Sequence, residues 1–138
     1  MQEHEQWFLI AKEDLHVAKI LLKYERFSAV TYHSQQAAEK AFKGYLVFKN
    51  QEVLKTHDLI KLVGLCVKFD RTFEVFLDIV ECLNPFSTKF RYPTEYDIPD
   101  LEDAALAVKH AQSIMRFVLK KILEPVTGQI DIFKEVDE

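Results

Sequence analysis

Residues 33–46 read HSQQAAEKAFKGYL, and their small side chains are the strongest indication of how the chain folds. These side chains recur three and four residues apart, at Ser34, Ala37, Ala41 and Gly44. This spacing places them on one face of a helix, where small residues let a neighbouring helix approach closely. Because glycine inside a helix costs about 1 kcal/mol relative to alanine, Gly44 also indicates tight packing. The stretch predicts a closely packed helix over about residues 27–49.

The flanking sequence has the same helical periodicity. Apolar residues spaced three and four apart predict further helices over about residues 4–24, 57–69, 71–84 and 100–123. Thr56 is expected to cap the third of these five helices. We expect an all-α fold, with five helices in one bundle. Ten side chains are expected to be buried together: Trp7, Leu15, Ala37, Ala41, Leu62, Phe76, Val80, Val108, Met115 and Val118.

The 138 residues are enough for one domain with a real core, which we assign to residues 1–123. A short acidic tail follows over residues 124–138. It holds five of the 22 acidic residues and one of the 18 basic ones, so the domain carries 17 of each. An electroneutral domain has no overall field that attracts nucleic acid, and such binding would need a local basic patch.

A cytoplasmic protein is expected. The N-terminus, MQEHEQWF, lacks the basic and apolar regions of a signal peptide, and the longest apolar run, LVGLCV at 62–67, is too short to span a membrane. Cys66 and Cys82 lie in apolar helical patterns and show no zinc-type spacing, which predicts buried free thiols.

Several kinds of catalytic site have no counterpart in the sequence. The five histidines are far apart and form neither HxxxH nor HExxH, so we expect no metal site. Three glycines cannot build a phosphate-binding loop, and no Gly-x-Ser-x-Gly elbow is present. We expect no cofactor, and the catalytic residues, if any, are not identified.

Polar residues of the second helix and the segment after it have two interpretations. His57 and Asp58 could form a polarised imidazole, although neighbouring side chains on a helix diverge, and capping of a helix start is the simpler explanation. Glu39 and Lys43 have the spacing of a surface ion pair. The polar strip also includes Gln35, Gln36 and Lys40. It could instead be a binding face.

Residues 89–93, KFRYP, give the sharpest local signal for a ligand. They fall in the proline-containing segment 84–100, where an irregular connection is expected to carry function. Two cations and two aromatic rings suit contacts with phosphates and bases. Alternatively, Arg91 fixes this segment by pairing with the five acidic residues of 95–103.

Four motifs in order resemble the HEPN domain (higher eukaryotes and prokaryotes nucleotide-binding). They are Trp7, Ala11, Asp14, Leu15 and Ala18 of the first helix, then QQAAEKA at 35–41, KTHDL at 55–59 and RYP at 91–93. The resemblance covers about residues 5–123. It implies an up-and-down bundle of four main helices and one shorter helix, a homodimer, and a minimal nucleotidyltransferase as partner in a toxin–antitoxin-type module.

Many HEPN proteins are metal-independent ribonucleases, with an arginine followed by a histidine after four to six residues. No histidine lies at such a distance from Arg91. Arg26 and His33 have the spacing, but they fall at the second helix, whereas the family motif belongs near the fourth. We interpret that match as chance, which leaves the acid–base group of the ribonuclease missing.

Two hypotheses follow. The protein is a non-catalytic or weakly active HEPN subunit that binds a nucleotide or RNA, or it is a metal-independent ribonuclease that uses an unrecognised base. The candidate binding residues are Arg91, Tyr92, Lys89, Lys40 and His57.

Overall fold

A computed structural model of the chain describes residues 1–85 and 98–124. Five α-helices and one 3-10 helix make up this part, and it contains no strand: α1 (Glu3–Lys23), α2 (Phe27–Phe48), α3 (Leu59–Phe69), the 3-10 helix (Arg71–Phe76), α4 (Leu77–Leu83) and α5 (Leu101–Leu123). The prediction of an all-α fold with five helices is confirmed. The helix predicted over 71–84 differs in detail, since its first half is a 3-10 helix.

The central element is α2, which packs along α1 on one side and against α5 on another. The predicted stripe of small residues on α2 is buried. Nine of the ten predicted core residues are buried as well, and the exception is Trp7, which is only partly covered. Its neighbour Phe8 is the aromatic residue of α1 that enters the core, because it lies against Gly44.

Helices α1 and α2 end in the same way. Glu25 and Asn50 adopt positive φ angles of 59° and 62°, and the amides of the residues after them donate to Leu21 and Leu46. This is the Schellman ending of a helix, which satisfies its last carbonyl groups. The helix ends therefore fix where each chain segment leaves the bundle.

The cap of α3 differs from the prediction. Asp58 is the N-cap residue and accepts hydrogen bonds from the amides of Ile60 and Lys61, whereas the Thr56 hydroxyl accepts from the amide of Asp58. A carboxylate satisfies the free amides of a helix start and also suits its partial positive charge. The helix therefore begins two residues later than expected.

Residues 51–58 form no helix and run back along α2 from its end to the level of Gln35 and Glu39. The start of α3 is then tied to the end of α4. The Asn84 amide donates to Asp58 Oδ1 at 3.1 Å and accepts from the amide of Leu59 at 2.6 Å.

The two thiols have different environments. Cys66 is buried as predicted, but the prediction for Cys82 is wrong, since this residue is exposed. The short helix α4 buries Val80 and Leu83 against the core, and Cys82 lies on its outer side. Burial raises the pKa of the Cys66 thiol to about 12, so it stays protonated and unreactive at neutral pH.

Candidate functional site

The polar half of α2 is covered by other parts of the chain. Gln35, Gln36, Glu39 and Lys43 are all buried, and the apolar half of the helix is buried too. A buried polar group must find a hydrogen-bond partner, or the fold loses about 1–3 kcal/mol for each one. Their partners lie on α2 itself and in residues 51–58, while His33 and Lys40 of α2 are held by α1. The carboxylates among these groups form the centres of two clusters.

In the first cluster, Asp14 of α1 holds two side chains of α2. His33 Nδ1 lies 2.9 Å from Asp14 Oδ1, and Lys40 Nζ donates to Asp14 Oδ2 at 2.5 Å. His33 and Lys40 are seven residues apart, two turns of helix, which brings both to the same face. The carboxylate is nearly buried, while the side chains of His33 and Lys40 remain 28% and 22% exposed.

In the second cluster, the central carboxylate belongs to Glu39 of α2. Lys43 Nζ donates to Glu39 Oε2 at 2.9 Å, and His57 Nδ1 lies 2.8 Å from Glu39 Oε1. Lys43 also sits over the ring of Trp7, 5.9 Å from its centroid. Glu39 and Lys43 are almost fully buried, whereas the side chain of His57 is 55% exposed.

A hydrogen bond also holds the backbone at His57 in place. Gln35 Nε2 donates to the carbonyl oxygen of His57 at 3.1 Å, and Gln36 Nε2 donates to Gln35 Oε1 at 2.7 Å. Both oxygens of Glu39 are used, and so is the Gln35 amide. A fully satisfied buried network of this kind is rigid, so it holds the exposed part of His57 in one position.

The two clusters have the same arrangement of chemical groups. Each buried carboxylate accepts from one ammonium group and one imidazole, and each imidazole uses Nδ1 for this contact. Since an ionised carboxylate only accepts, the Nδ1 proton points at it and Nε2 is left as the outer nitrogen. The arrangement can present imidazole and ammonium groups to a ligand in fixed orientations.

The structure describes two of the five candidate binding residues predicted from the sequence. Lys40 and His57 are both in the site but belong to different carboxylates, and Arg91, Tyr92 and Lys89 lie outside the described residues. The prediction of a surface pair for Glu39 and Lys43 is wrong, because residues 51–58 and α1 cover them. Asp58 is the N-cap residue of α3, in place of the expected Thr56. The imidazole of His57 is oriented by Glu39 and not by Asp58.

Sequence reasoning missed the role of Asp14. A usable signal was present, since Asp14 continues the four–three–four spacing of Trp7, Ala11 and Ala18. An acidic residue on the apolar face of a helix needs a buried partner, and the cations of α2 supply it.

Arg26 and His33 do not form a pair. Arg26 is the N-cap residue of α2, two turns and about 10 Å of helix rise before His33. His33 is bonded to Asp14. Over residues 1–85 and 98–124, moreover, no three His, Cys, Asp or Glu side chains come together in a way that could hold a metal ion.

The fold and the motifs agree with one known family, since the family model described as HEPN domain matches residues 4–122. The chain belongs to the HEPN domain family. The resemblance predicted from the sequence is thereby confirmed. A relative from Methanocaldococcus jannaschii, named "Putative toxin MJ1304", is 31% identical to this HEPN protein, and the match covers 86% of each chain.

Two solved structures share the fold of this HEPN protein. TT1696 from Thermus thermophilus superposes with a TM-score of 0.78 at 24% identity, a likeness of fold alone. ST0689, an archaeal HEPN homologue, gives a TM-score of 0.71 at 26% identity. Each match covers 88% of this chain and 99% of the other. None of the helices described here is long and apolar enough to cross a membrane.

Proposed function

We propose that this HEPN protein is a component of a toxin–antitoxin-type module, binds a nucleotide or RNA, and has no strong ribonuclease activity on its own. The toxin name of a relative that matches over 86% of both chains supports the module. The minimal nucleotidyltransferase partner and the homodimer are proposed from the family resemblance. Sedimentation showing only monomer at micromolar concentration would contradict the dimer.

One observation supports binding most directly. Two buried carboxylates hold His33, Lys40 and His57, whose side chains remain 28%, 22% and 55% exposed. Ammonium and imidazole N–H groups are donors that phosphate and ribose oxygens accept, and fixing them in advance lowers the entropy cost of binding. We add Arg91, Tyr92 and Lys89 to the site as predictions from the sequence.

A metal-independent ribonuclease is the second candidate. A carboxylate that orients an imidazole is the usual arrangement of a general acid or base, and both clusters have it. Binding is nevertheless favoured over cleavage, because the two imidazoles are held by different carboxylates and because the Arg-to-His spacing is missing after Arg91.

Trp7 provides the test of binding, since it is the only tryptophan of the chain and lies over Lys43 of the site. Its fluorescence is measured while ATP, GTP or a short single-stranded RNA is added. Lys40→Gln and His57→Ala should each weaken binding about ten-fold, the scale of a charge-assisted hydrogen bond. Lys68→Gln, an exposed lysine on α3, is the matched control. Equal affinities for all variants would refute the proposed site.

Arg91→Ala separates two roles of that residue. As a ligand contact, Arg91 should change affinity by about 1–3 kcal/mol and leave the melting temperature unchanged. If Arg91 is instead a structural residue, Arg91→Ala should lower the melting temperature and leave the affinity per folded molecule unchanged.

Cleavage of labelled RNA in EDTA tests the second candidate. We expect no strong cleavage by the isolated protein. Cleavage that is lost in His33→Ala or His57→Ala, and kept in the exposed-site control His16→Ala, would establish the ribonuclease instead.

A further inference from the structure

His57 lies between two helices that hold it in different ways. Two side chains of α2 contact its ring nitrogen Nδ1 and its carbonyl oxygen. The two residues that follow it, Asp58 and Leu59, are bound by the side-chain amide of Asn84. Asn84 comes directly after α4, and the last residue of that helix is buried in the core. The chain at His57 is therefore held both by α2 and by the end of α4.

Both ends of the Asn84 amide are used. Its oxygen accepts from the backbone amide of Leu59 at 2.6 Å, and its nitrogen donates to Asp58 Oδ1 at 3.1 Å. An amide side chain suits this task because it carries a donor and an acceptor in one planar group. Two bonds from one planar group restrain both the position and the direction of the backbone that follows His57.

Capping of α3 explains part of this contact. The Asp58 carboxylate already accepts from two backbone amides of α3, so this cap is complete without Asn84. Leu59 is buried, and the oxygen of Asn84 satisfies its amide, which is one of the free donors of a helix start. The second bond, from Asn84 to Asp58, serves neither purpose. Its effect is to hold the residue beside His57.

We infer that Asn84 is a positioning residue for the imidazole of His57. The inference rests on the proposed binding function, in which the outer nitrogen of this ring contacts the ligand. The side chain of His57 is 55% exposed, so packing fixes the ring only in part, and its direction depends on the contact of 2.8 Å with Glu39. A shift of the backbone would break that contact. A ring that is no longer fixed loses entropy when the ligand binds, and affinity falls.

The first measurement follows the imidazoles without any ligand. NMR spectra of protein labelled with ¹⁵N at histidine are recorded at about pH 8, where an imidazole is neutral and carries one proton. The wild type should show His57 protonated at Nδ1, and Asn84→Ala should show a mixture of both tautomers. The ring of His33, which Asp14 holds in the other cluster, should be unchanged and is an internal control. An unchanged His57 ring in Asn84→Ala would overturn the inference.

The second measurement is a double-mutant cycle on the affinity for ATP, followed by Trp7 fluorescence. Asn84→Ala should weaken binding about three- to ten-fold, the scale of one hydrogen bond. Because Asn84 acts through His57, the same change should have no effect on affinity in the His57→Ala background. Equal losses in both backgrounds would overturn the inference, since a purely structural effect does not depend on His57.

Thr72→Ala is the matched control. It removes an uncharged hydroxyl that donates to Asp70 at 2.6 Å, beyond the opposite end of α3 and about 16 Å of helix from its start. Like Asn84→Ala, it deletes a side-chain hydrogen bond next to a helix end. The affinity for ATP and the ring signals of both histidines should match those of the wild type.

Asn84→Asp is a second variant that keeps the acceptor for the amide of Leu59. Its carboxylate would face Asp58 Oδ1 where the wild type has a donor, so it should disturb the His57 ring in the same way as Asn84→Ala. The added negative charge also repels ATP, but this repulsion acts in the His57→Ala background as well and cancels in the cycle.

The remaining outcomes are distinct. If neither Asn84→Ala nor Asn84→Asp folds, Asn84 is a residue of the fold alone and the inference is overturned. Absence of ATP binding by the wild type would count against the proposed function, while the ring spectra would still decide whether Asn84 positions His57.

Discussion

The ring of Phe8 occupies the space that a side chain at Gly44 would need. A Cβ atom built on Gly44 would lie 2.6 Å from Cε1 of Phe8 and 2.9 Å from its Cζ. Phe8 is only 2% exposed, so the ring has little room to move away. Helices α1 and α2 therefore approach through glycine at this point, as the small residues of α2 predicted.

Gly44→Ala should destabilise the protein. Overpacking in a filled core costs about 1–3 kcal/mol, which exceeds the gain of about 1 kcal/mol from alanine in a helix. The free energy of unfolding in urea measures the effect. Gly64→Ala is the matched control, because a Cβ at that exposed position of α3 meets nothing within 4 Å. The control should be neutral or stabilising, and similar losses in both variants would refute the packing role.

Glu39→Gln should lower the free energy of unfolding by about 3–5 kcal/mol. This change keeps the volume of the side chain and leaves the ammonium group of Lys43 buried without its counter-charge. Glu74→Gln breaks an exposed pair with Arg71, and it should cost less than about 1 kcal/mol. Chemical denaturation of both variants makes the comparison. A loss below about 1 kcal/mol for Glu39→Gln would contradict this prediction, because it would mean that water solvates the ammonium group of Lys43.

Asp70 should make stability depend on pH in acid. The hydroxyl of Thr72 donates to it and lowers its pKa, partial burial opposes this, and the Thr72 amide and Lys121, at 3.0 Å, lower the pKa further. A carboxylate with a lowered pKa stabilises the fold above its unfolded pKa of about 3.8, and this contribution disappears as pH falls through the folded value.

The variant Asp70→Asn keeps a capping side chain for the 3-10 helix and removes the charge. Its melting temperature should be lower than that of the wild type at pH 7, and the difference should shrink below about pH 4. Glu81→Gln, an exposed residue of α4, is the control. A difference that stays constant down to about pH 2 would contradict this account.

The two cysteines should react at very different rates with a thiol reagent such as DTNB. Cys82 is exposed, whereas Cys66 is buried and has a pKa of about 12. One thiol per folded chain should therefore react quickly, and the second only after unfolding in guanidinium. The variant Cys82→Ser should lose the fast reaction, and persistence of that reaction would show that Cys66 is accessible.

The helices could be predicted because their apolar residues repeat every three or four positions, which is the period of an α-helix. The same regularity identified the small residues of α2 as a packing face. It could not show that Glu39 and Lys43 are buried, since their cover comes from residues 51–58, which carry no periodic pattern. The role of His57 could not be predicted either, because its contact with Glu39 depends on how residues 51–58 run along α2 and not on its neighbour Asp58.

The cluster of Asp14, His33 and Lys40 also fixes how far along each other α1 and α2 can lie. Serine and alanine make most of the α2 ridge smooth, and the contact of Phe8 with Gly44 is the packing feature that marks one position along it. A displacement by four residues, about one helical turn, would move Asp14 from His33 and Lys40 to Ala37 and Gly44, or to Ala29 and Gln36, and none of these is a cation. The charged side chains thus require the same alignment of the two helices as the contact of Phe8 with Gly44.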